Sequence, residues 1–308
     1  RDAYLNKNRT PQIFRNSFAL VAEIPKNIYH VSKIFMHKNL PPKLKKHVEK
    51  KRFNQLISKK RNALLILPRY DLSLEKSVVE VVDLSEFKVI HTYRHNIDEM
   101  NKQIKNFKKF KRVKIDSNPK RFSYLHPILF DDGSLLSIYG PAFKIDFCSN
   151  LGWVNDKEIF HHSIEKDHNK DVWIPGRMVD PKSKYVEENT YRDYQDHSII
   201  KMNKKGEILF NKSVTEILIE NKIFDKNIFN GTTDPVHLND IEPALQNSQY
   251  WKQGDLFISA RNQSAIIHYR PSNKKVINYI TGPFAQQHDV DIISDKEISI
   301  FNNNNFIT

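Results

Sequence analysis

LHPILFDDGSLLSIYG, residues 125–140, decides the reading of the fold: a short apolar run, a polar turn around Asp131, Asp132 and Gly133, then a second apolar run. The same plan returns as HHSIEKDHNKDVWIPG at 161–176 and as QHDVDIISDKEISIFN at 287–302. Aligned in this way, His126, His162 and His288 share one column. Recurrence of one strand–turn–strand unit is the mark of a repeat architecture.

A second recurring piece is a hairpin, with apolar runs on either side of a turn of Ser, Asn, Lys or Gly. It reads SVVEVVDLSEFKVIHTY from Ser77, FKIDFCSNLGWV from Phe143, HSIIKMNKKGEILFN from His197 and SAIIHYRPSNKKVINYI from Ser264. Apolar alternation and turn chemistry make these β-hairpins. Each full unit then has four strands, and four-stranded units at roughly 40-residue spacing predict propeller blades. The second strands begin near Ala63, Ser134, Asp171, Asp255 and Glu297, at intervals of 71, 37, 84 and 42 residues. Inserted segments account for the two long intervals, and SVTEILIENKIF in the second of them reads as a short helix.

The expected fold is therefore all-β, a β-propeller of about six four-stranded blades when complete. Residues 61–308 form the propeller, and a basic, partly helical arm covers 1–60. A chain stopping at Thr308 leaves its last blade half built with an open edge, so it reads as a fragment. It starts at Arg1 without an apolar leader, so a targeting segment is expected upstream.

Composition agrees. The chain has 308 residues with 14 Pro and 8 Gly, and no apolar run nears the ~20 residues of a membrane span. Cys148 is the sole cysteine and cannot form an internal disulfide. Net charge is +13, yet residues 38–62 and 101–121 together hold +17, leaving the rest at −4. Both segments read as solvated basic helices, LKKHVEKKRFNQLISKKR and IDEMNKQIKNFKKFKRVK. Nucleic acid is not an expected partner, because no stacking aromatics punctuate a basic groove and no zinc-finger or RRM signature occurs. Peripheral contact with an acidic membrane remains open to these segments.

In a propeller the first strand of each blade lines the channel, so one repeat column converges on one mouth. His162 and His288 share that column. Matching NDIEP to HDVDI adds Asn239, and His237 lies two residues earlier on the same strand face. Arg261, followed by Asn262, closes the second strand of that blade. His126, His161, His168, His197 and His268 read as structural, His161 because alternation turns it away. Three histidines suit either a metal or an oxyanion. Arg261 repels a divalent cation and forks onto sulfate or phosphate, which favours the oxyanion, with no metal and no cofactor expected.

HLNDIEP, GDLFISARN, GPFAQQHD and the His161–His162 pair make the chain resemble the aryl sulfotransferase family over roughly residues 122–303. The resemblance implies a bacterial propeller enzyme that moves a sulfuryl group from an aryl sulfate to a phenol without a nucleotide sulfate donor. It implies His288 as nucleophile, His162, His237 and Arg261 around the transferring group, and Asn239 and Asn262 as substrate contacts. It further implies a periplasmic or envelope-anchored location with the basic arm near the membrane. A different class of function also fits the residues: a noncatalytic propeller binding an anionic ligand or a partner protein at the same mouth.

Overall fold

The computed structural model describes Ile28 and residues 62–105, 110, 117–178, 194–225 and 232–305. The arm expected over 1–60 lies outside these residues apart from Ile28, as do 106–109 and 111–116 of the second basic segment. Every element below belongs to one compact unit, Ser58–Thr308.

Each strand pair in this unit is antiparallel and mostly sequential. Sheet I holds β1 (Leu64–Asp71), β2 (Lys76–Asp83) and β3 (Lys88–Tyr93). Helix α1 (Ile97–Gln103) follows. Sheet II is the meander β4 (Leu125–Leu129), β5 (Leu135–Ile138), β6 (Gly140–Ile145) and β7 (Leu151–Phe160). Sheet III is β8 (Glu165–Lys166), β9 (Val172–Arg177), β10 (His197–Met202) and β11 (Ile208–Ser213). After α2 (Val214–Glu220), sheet IV runs β12 (Leu238–Pro243), β13 (Leu256–Ala260), β14 (Ala265–Arg270) and β15 (Lys275–Thr281). Sheet V pairs β16 (Val290–Ile292) with β17 (Ile298–Ile300).

The sheets stack face to face in chain order, and the core shows it. Successive side chains on a strand point to opposite faces, and here each face feeds a different apolar cluster. Leu135 joins sheet I residues Val79, Val81 and Tyr93, whereas Leu136 packs with Ile174 and Ile200 of sheet III. In sheet III, Ile199 turns instead to Ile258 and Ile267 of sheet IV. Phe257 and Ile266, one residue away from those two, pack with Val290 of sheet V. Strands β5 and β13 are therefore buried along their whole length, the pattern of sheets covered on both faces. Four-stranded antiparallel meanders stacked this way, each starting from an inner strand, are the blades of a β-propeller.

One joint matters for the site. The last two residues of the ten-residue strand β7, Ile159 and Phe160, pair with Arg177 and Gly176 of β9 while Phe160 still pairs with Gly140 of β6, so sheets II and III are hydrogen-bonded to one another at this joint. The chain then passes through His161 and His162 into β8.

The insertions are less helical than expected in one case and as expected in the other. Helix α1 is capped by the Asn96 side chain, which accepts from the Asp98 N–H, and it buries Ile97 and Met100. The helix read over IDEMNKQIKNFKKFKRVK ends at Gln103: Ile104 is extended, its side chain enters the first core, and the next backbone N–H, of Lys105, donates to Asp156 at 2.8 Å, while 106–109 and 111–116 of that reading lie outside the described residues. Tertiary packing overrides helix propensity there. SVTEILIENKIF does form a helix, capped by Ser213 and anchored by Val214, Ile217 and Leu218. Among the described residues no helix is long and apolar enough to cross a membrane.

Candidate functional site

Three of the innermost strands are entered through a histidine in the left-handed backbone region: His126 at φ 41°, His162 at 63° and His237 at 47°. This conformation costs a non-glycine residue about 1–2 kcal/mol, and such strain concentrates where side chains must be aimed. It aims these at one another. The rings of His162 and His237 are 5.6 Å apart, and those of His162 and His288 are 5.7 Å apart. His126, read from sequence as structural, lies close enough to His288 and Asp289 for their charges to be felt, and burial lowers its pKa.

A clamp between two loops sets His237. The turn Asp234–His237 is held by the 3-10 turn Arg261–Gln263: Asn262 Nδ2 donates to the Asp234 carbonyl (2.6 Å) and Gln263 Nε2 to the Pro235 carbonyl (2.7 Å). The Arg261 backbone N–H donates to the His237 carbonyl at 3.1 Å. Asp234 Oδ1 accepts from the His237 backbone N–H at 3.1 Å, and Asp234 Oδ2 accepts from Nδ1 of the His237 ring at 2.6 Å. A neutral imidazole that donates through Nδ1 has its lone pair on Nε2.

Arg261 donates Nη1 to Asn262 Oδ1 (2.7 Å) and Nη2 to Gln286 Oε1 (2.8 Å). Both acceptors are neutral amides, and among the described residues no carboxylate pairs with this guanidinium. Its charge remains available to an anion. Asn239 is buried and donates Nδ2 to the Gln287 carbonyl at 3.0 Å, tying sheet IV to the residue before His288. His288 itself is exposed; Asn303 Nδ2 donates to its Nδ1 (2.8 Å) and to the Gln286 carbonyl (2.6 Å).

Electrostatics disfavour protonation of His161, His162, His197 and His288. Burial, then the neighbouring histidines, push His162 down to about 3. Burial and His197 hold His161 well below its ordinary value. Burial also lowers His197 against the pull of Asp234, and burial with Arg261 lowers His288. Burial alone would raise Asp234, but hydrogen bonds and charge from His197 and His237 outweigh it and keep the carboxylate ionised.

His161 and His197, read from the sequence as structural, lie in the same cluster. His161 Nδ1 lies 2.6 Å from His162 Nδ1, His161 Nε2 lies 3.2 Å from His197 Nδ1, and His197 Nε2 lies 3.0 Å from Asp234 Oδ1. Alternation applies only to an extended backbone. The left-handed residue at 162 breaks it, so both members of the His161–His162 pair join the cluster. Asp234, three residues before His237 across a proline, is the signal in the sequence for the third missing member. His268 is structural as expected, buried against Asp255 at 2.9 Å and stacked on Phe257.

His197, Asp234 and His237 are the described residues whose ligand atoms gather tightly enough to suggest a cation. Tetrahedral zinc with bonds of about 2.0–2.1 Å separates its ligands by about 3.3 Å. The Asp234–His237 contact at 2.6 Å is a hydrogen bond instead. A cavity of about 330 Å³ lined by Glu242, Pro243, Trp251 and Ile292 sits at the far ends of β12 and β16, away from the histidines.

The family model described as arylsulfotransferase (ASST) matches residues 127–308, more than half of the chain. No curated protein matches. Among solved structures the chain is similar to a protein of unknown function from Bacteroides caccae, at 10% identity and TM-score 0.42, covering 72% of this chain and 60% of that one. It is also similar to the Kuenenia stuttgartiensis hydrazine synthase, at 9% identity and TM-score 0.40, covering 73% of this chain and 65% of that one. A catalytically inactive variant of virginiamycin B lyase from Staphylococcus aureus, with quinupristin, matches at 12% identity and TM-score 0.34, covering 80% of this chain and 86% of that one. The chain thus spans less than two thirds of the length of the first two.

Proposed function

The chain belongs to the arylsulfotransferase family, and from that premise we propose that it moves a sulfuryl group from an aryl sulfate to a phenol through a sulfohistidine on His288. One observation supports this above the others: the His162 ring lies within 6 Å of those of both His237 and His288, beside a guanidinium that no carboxylate among the described residues neutralises.

In the first half-reaction a lone pair of neutral His288 attacks sulfur, the S–O bond to the aryl group breaks, and the phenolate leaves with the bonding pair. The lone pair must first be freed, because Asn303 donates to Nδ1. Release of Nδ1 by this exposed amide, or tautomer exchange in the ring, does so. In the second half-reaction the acceptor phenol attacks sulfur, the N–S bond breaks with its pair returning to His288, and the bare Nε2 of His237 takes the phenolic proton. Asp234, which accepts from Nδ1, orients the His237 ring and pairs with its imidazolium. Arg261 stabilises negative charge on the sulfuryl oxygens in both transition states. Splitting the transfer in two gives ping-pong kinetics.

A chromogenic aryl sulfate tests the reading. Phenolate release that rises with added phenol acceptor is expected. Absence of release with every acceptor, from protein that is folded, would leave a propeller that binds anions without turning them over. A bacterial envelope location goes with this reading, and the gene upstream of Arg1 should encode a signal or anchor segment; a start codon directly there would contradict export.

A further inference from the structure

We infer that His161, His197 and Asp234 form a proton relay behind the site, joining Nδ1 of His162 to Nδ1 of His237 and fixing both rings with bare Nε2 atoms. The inference rests on the sulfuryl-transfer reading for its kinetic consequences and on geometry alone for its chemistry.

The chain of contacts is continuous. It runs from His162 to His161 at 2.6 Å, to His197 at 3.2 Å, to Asp234 at 3.0 Å, and from the other carboxylate oxygen to His237 at 2.6 Å. Its polarity follows from one fact, that an ionised carboxylate only accepts. His197 therefore donates through Nε2 and has its lone pair on Nδ1. His161 must donate to that lone pair through its own Nε2, which leaves its Nδ1 bare. His162 then donates through Nδ1 and keeps Nε2 free. His237, donating to Asp234 through Nδ1, also keeps Nε2 free. Every hydrogen bond in the network points toward Asp234, and the two free lone pairs belong to the two rings that face His288 or one another across the site.

A proton entering at either lone pair ends beside the same carboxylate. Taken up at His237, it makes an imidazolium paired directly with Asp234. Taken up at Nε2 of His162, it releases the Nδ1 proton to His161, which releases its Nε2 proton to His197 Nδ1. His197 becomes the imidazolium, still donating to Asp234, and His162 and His161 are neutral again with their tautomers reversed. No bond other than N–H is broken, and the charge ends on the ring that donates to Asp234. The other charge facing the relay is Arg177, whose Nη1 donates to Gln195 at 2.6 Å and which opposes protonation of His161 and His197. Among the described residues Asp234 is the one carboxylate hydrogen-bonded to the relay, which makes it the store. His161, His197 and Asp234 are thus positioning residues acting through His162 and His237.

The test begins with the full chain labelled with ¹⁵N-histidine and no substrate. Imidazole nitrogen resonances should report Nδ1–H tautomers for His162 and His237 and Nε2–H tautomers for His161 and His197. The opposite tautomer at His162 or His237 in the wild-type protein overturns the relay, as does a stoichiometric metal held by His197, Asp234 and His237. Kinetics provide the second arm. His197→Phe should leave the burst of phenolate from a nitrophenyl sulfate little changed, since that leaving group needs no acid. The substitution cuts the route from His162 while leaving His237 paired with Asp234, so it should slow transfer to a weakly acidic phenol by less than the ~10²-fold worth of a general base, and by progressively less as the acceptor becomes more acidic. Equal slowing of both half-reactions, or of neither, overturns the relay. Absence of a burst in the wild-type protein counts against sulfuryl transfer, and the nitrogen resonances then still decide the relay.

Discussion

The inner strands carry two titratable clusters that burial treats alike and chemistry does not. At the strand entries His162, His197 and His288 are pushed below their ordinary pKa. Further along β8 and β12, burial and then mutual repulsion push Glu165 up to about 8, and burial above all pushes Asp240 and Glu242 up to about 7. Both clusters therefore shed charge. The histidines, however, are threaded on a directed hydrogen-bond network with an ionised Asp234 and an adjacent, unneutralised Arg261. The carboxylates have mainly each other, with backbone N–H groups such as that of Val290 donating to Asp240. A perturbed pKa marks a functional site only when partners give the proton somewhere to go.

Removing histidine chemistry should have the largest effect. His288→Ala is expected to abolish turnover, because it removes the nucleophile of the covalent step. Arg261→Ala should cost roughly 10²–10³ in kcat, as loss of one charge-stabilising donor does elsewhere. The double variant should lose no more than His288→Ala alone, since both act in one step; full additivity would separate Arg261 from that step.

The carboxylate cluster should show itself in stability rather than rate. A carboxyl with a raised folded pKa stabilises the protein at low pH and loses that contribution as pH rises through the folded value. For Glu165 the window runs from about 4.5 to about 8. Glu165→Gln should thus flatten the fall of stability as pH rises between about 4.5 and about 8, followed by denaturant unfolding at a series of pH values. An unchanged slope would mean Glu165 is ionised in the fold. The histidines have the opposite sign. A depressed folded pKa gives stability that is present above the unfolded value, near 6.5, and lost as pH falls toward about 3 for His162. A tenfold difference in proton affinity between folded and unfolded chain is worth up to about 1.4 kcal/mol. His162→Phe should therefore shrink the acid-side loss in the same series of unfolding curves, and an unchanged acid limb would mean that His162 titrates in the fold as it does in the unfolded chain.

Repeat structure is legible in the sequence because it depends on strand and turn chemistry that recurs: all four hairpins quoted above form, and the column of His162 and His288 closes on one place. The relay is not legible in that way. Counting alternation turns His161 outward, but the count runs through a residue that the fold places in the left-handed region. His197 reads as part of an outer strand, although its ring reaches the cluster from the start of β10. Asn239 reads as a pocket residue, and the sequence does not show that its amide Nδ2 also ties β12 to the Gln287 carbonyl of the next blade. Periodicity overextends the helix after Asn96 because it does not register the core contact that straightens Ile104. Local pattern predicts elements; convergence of side chains from the end of β7, the start of β10 and the 234–237 turn depends on packing that no single segment encodes.

The covalent step offers the sharpest test of sulfuryl transfer through His288. Brief exposure of the protein to an aryl sulfate without acceptor, followed by digestion under alkaline conditions and mass spectrometry, should place an ~80 Da adduct on the peptide containing His288, and added phenol should remove it. An adduct on the peptide of His237 or His162, or turnover at the wild-type rate in His288→Ala with no adduct anywhere, would rule out His288 as the nucleophile.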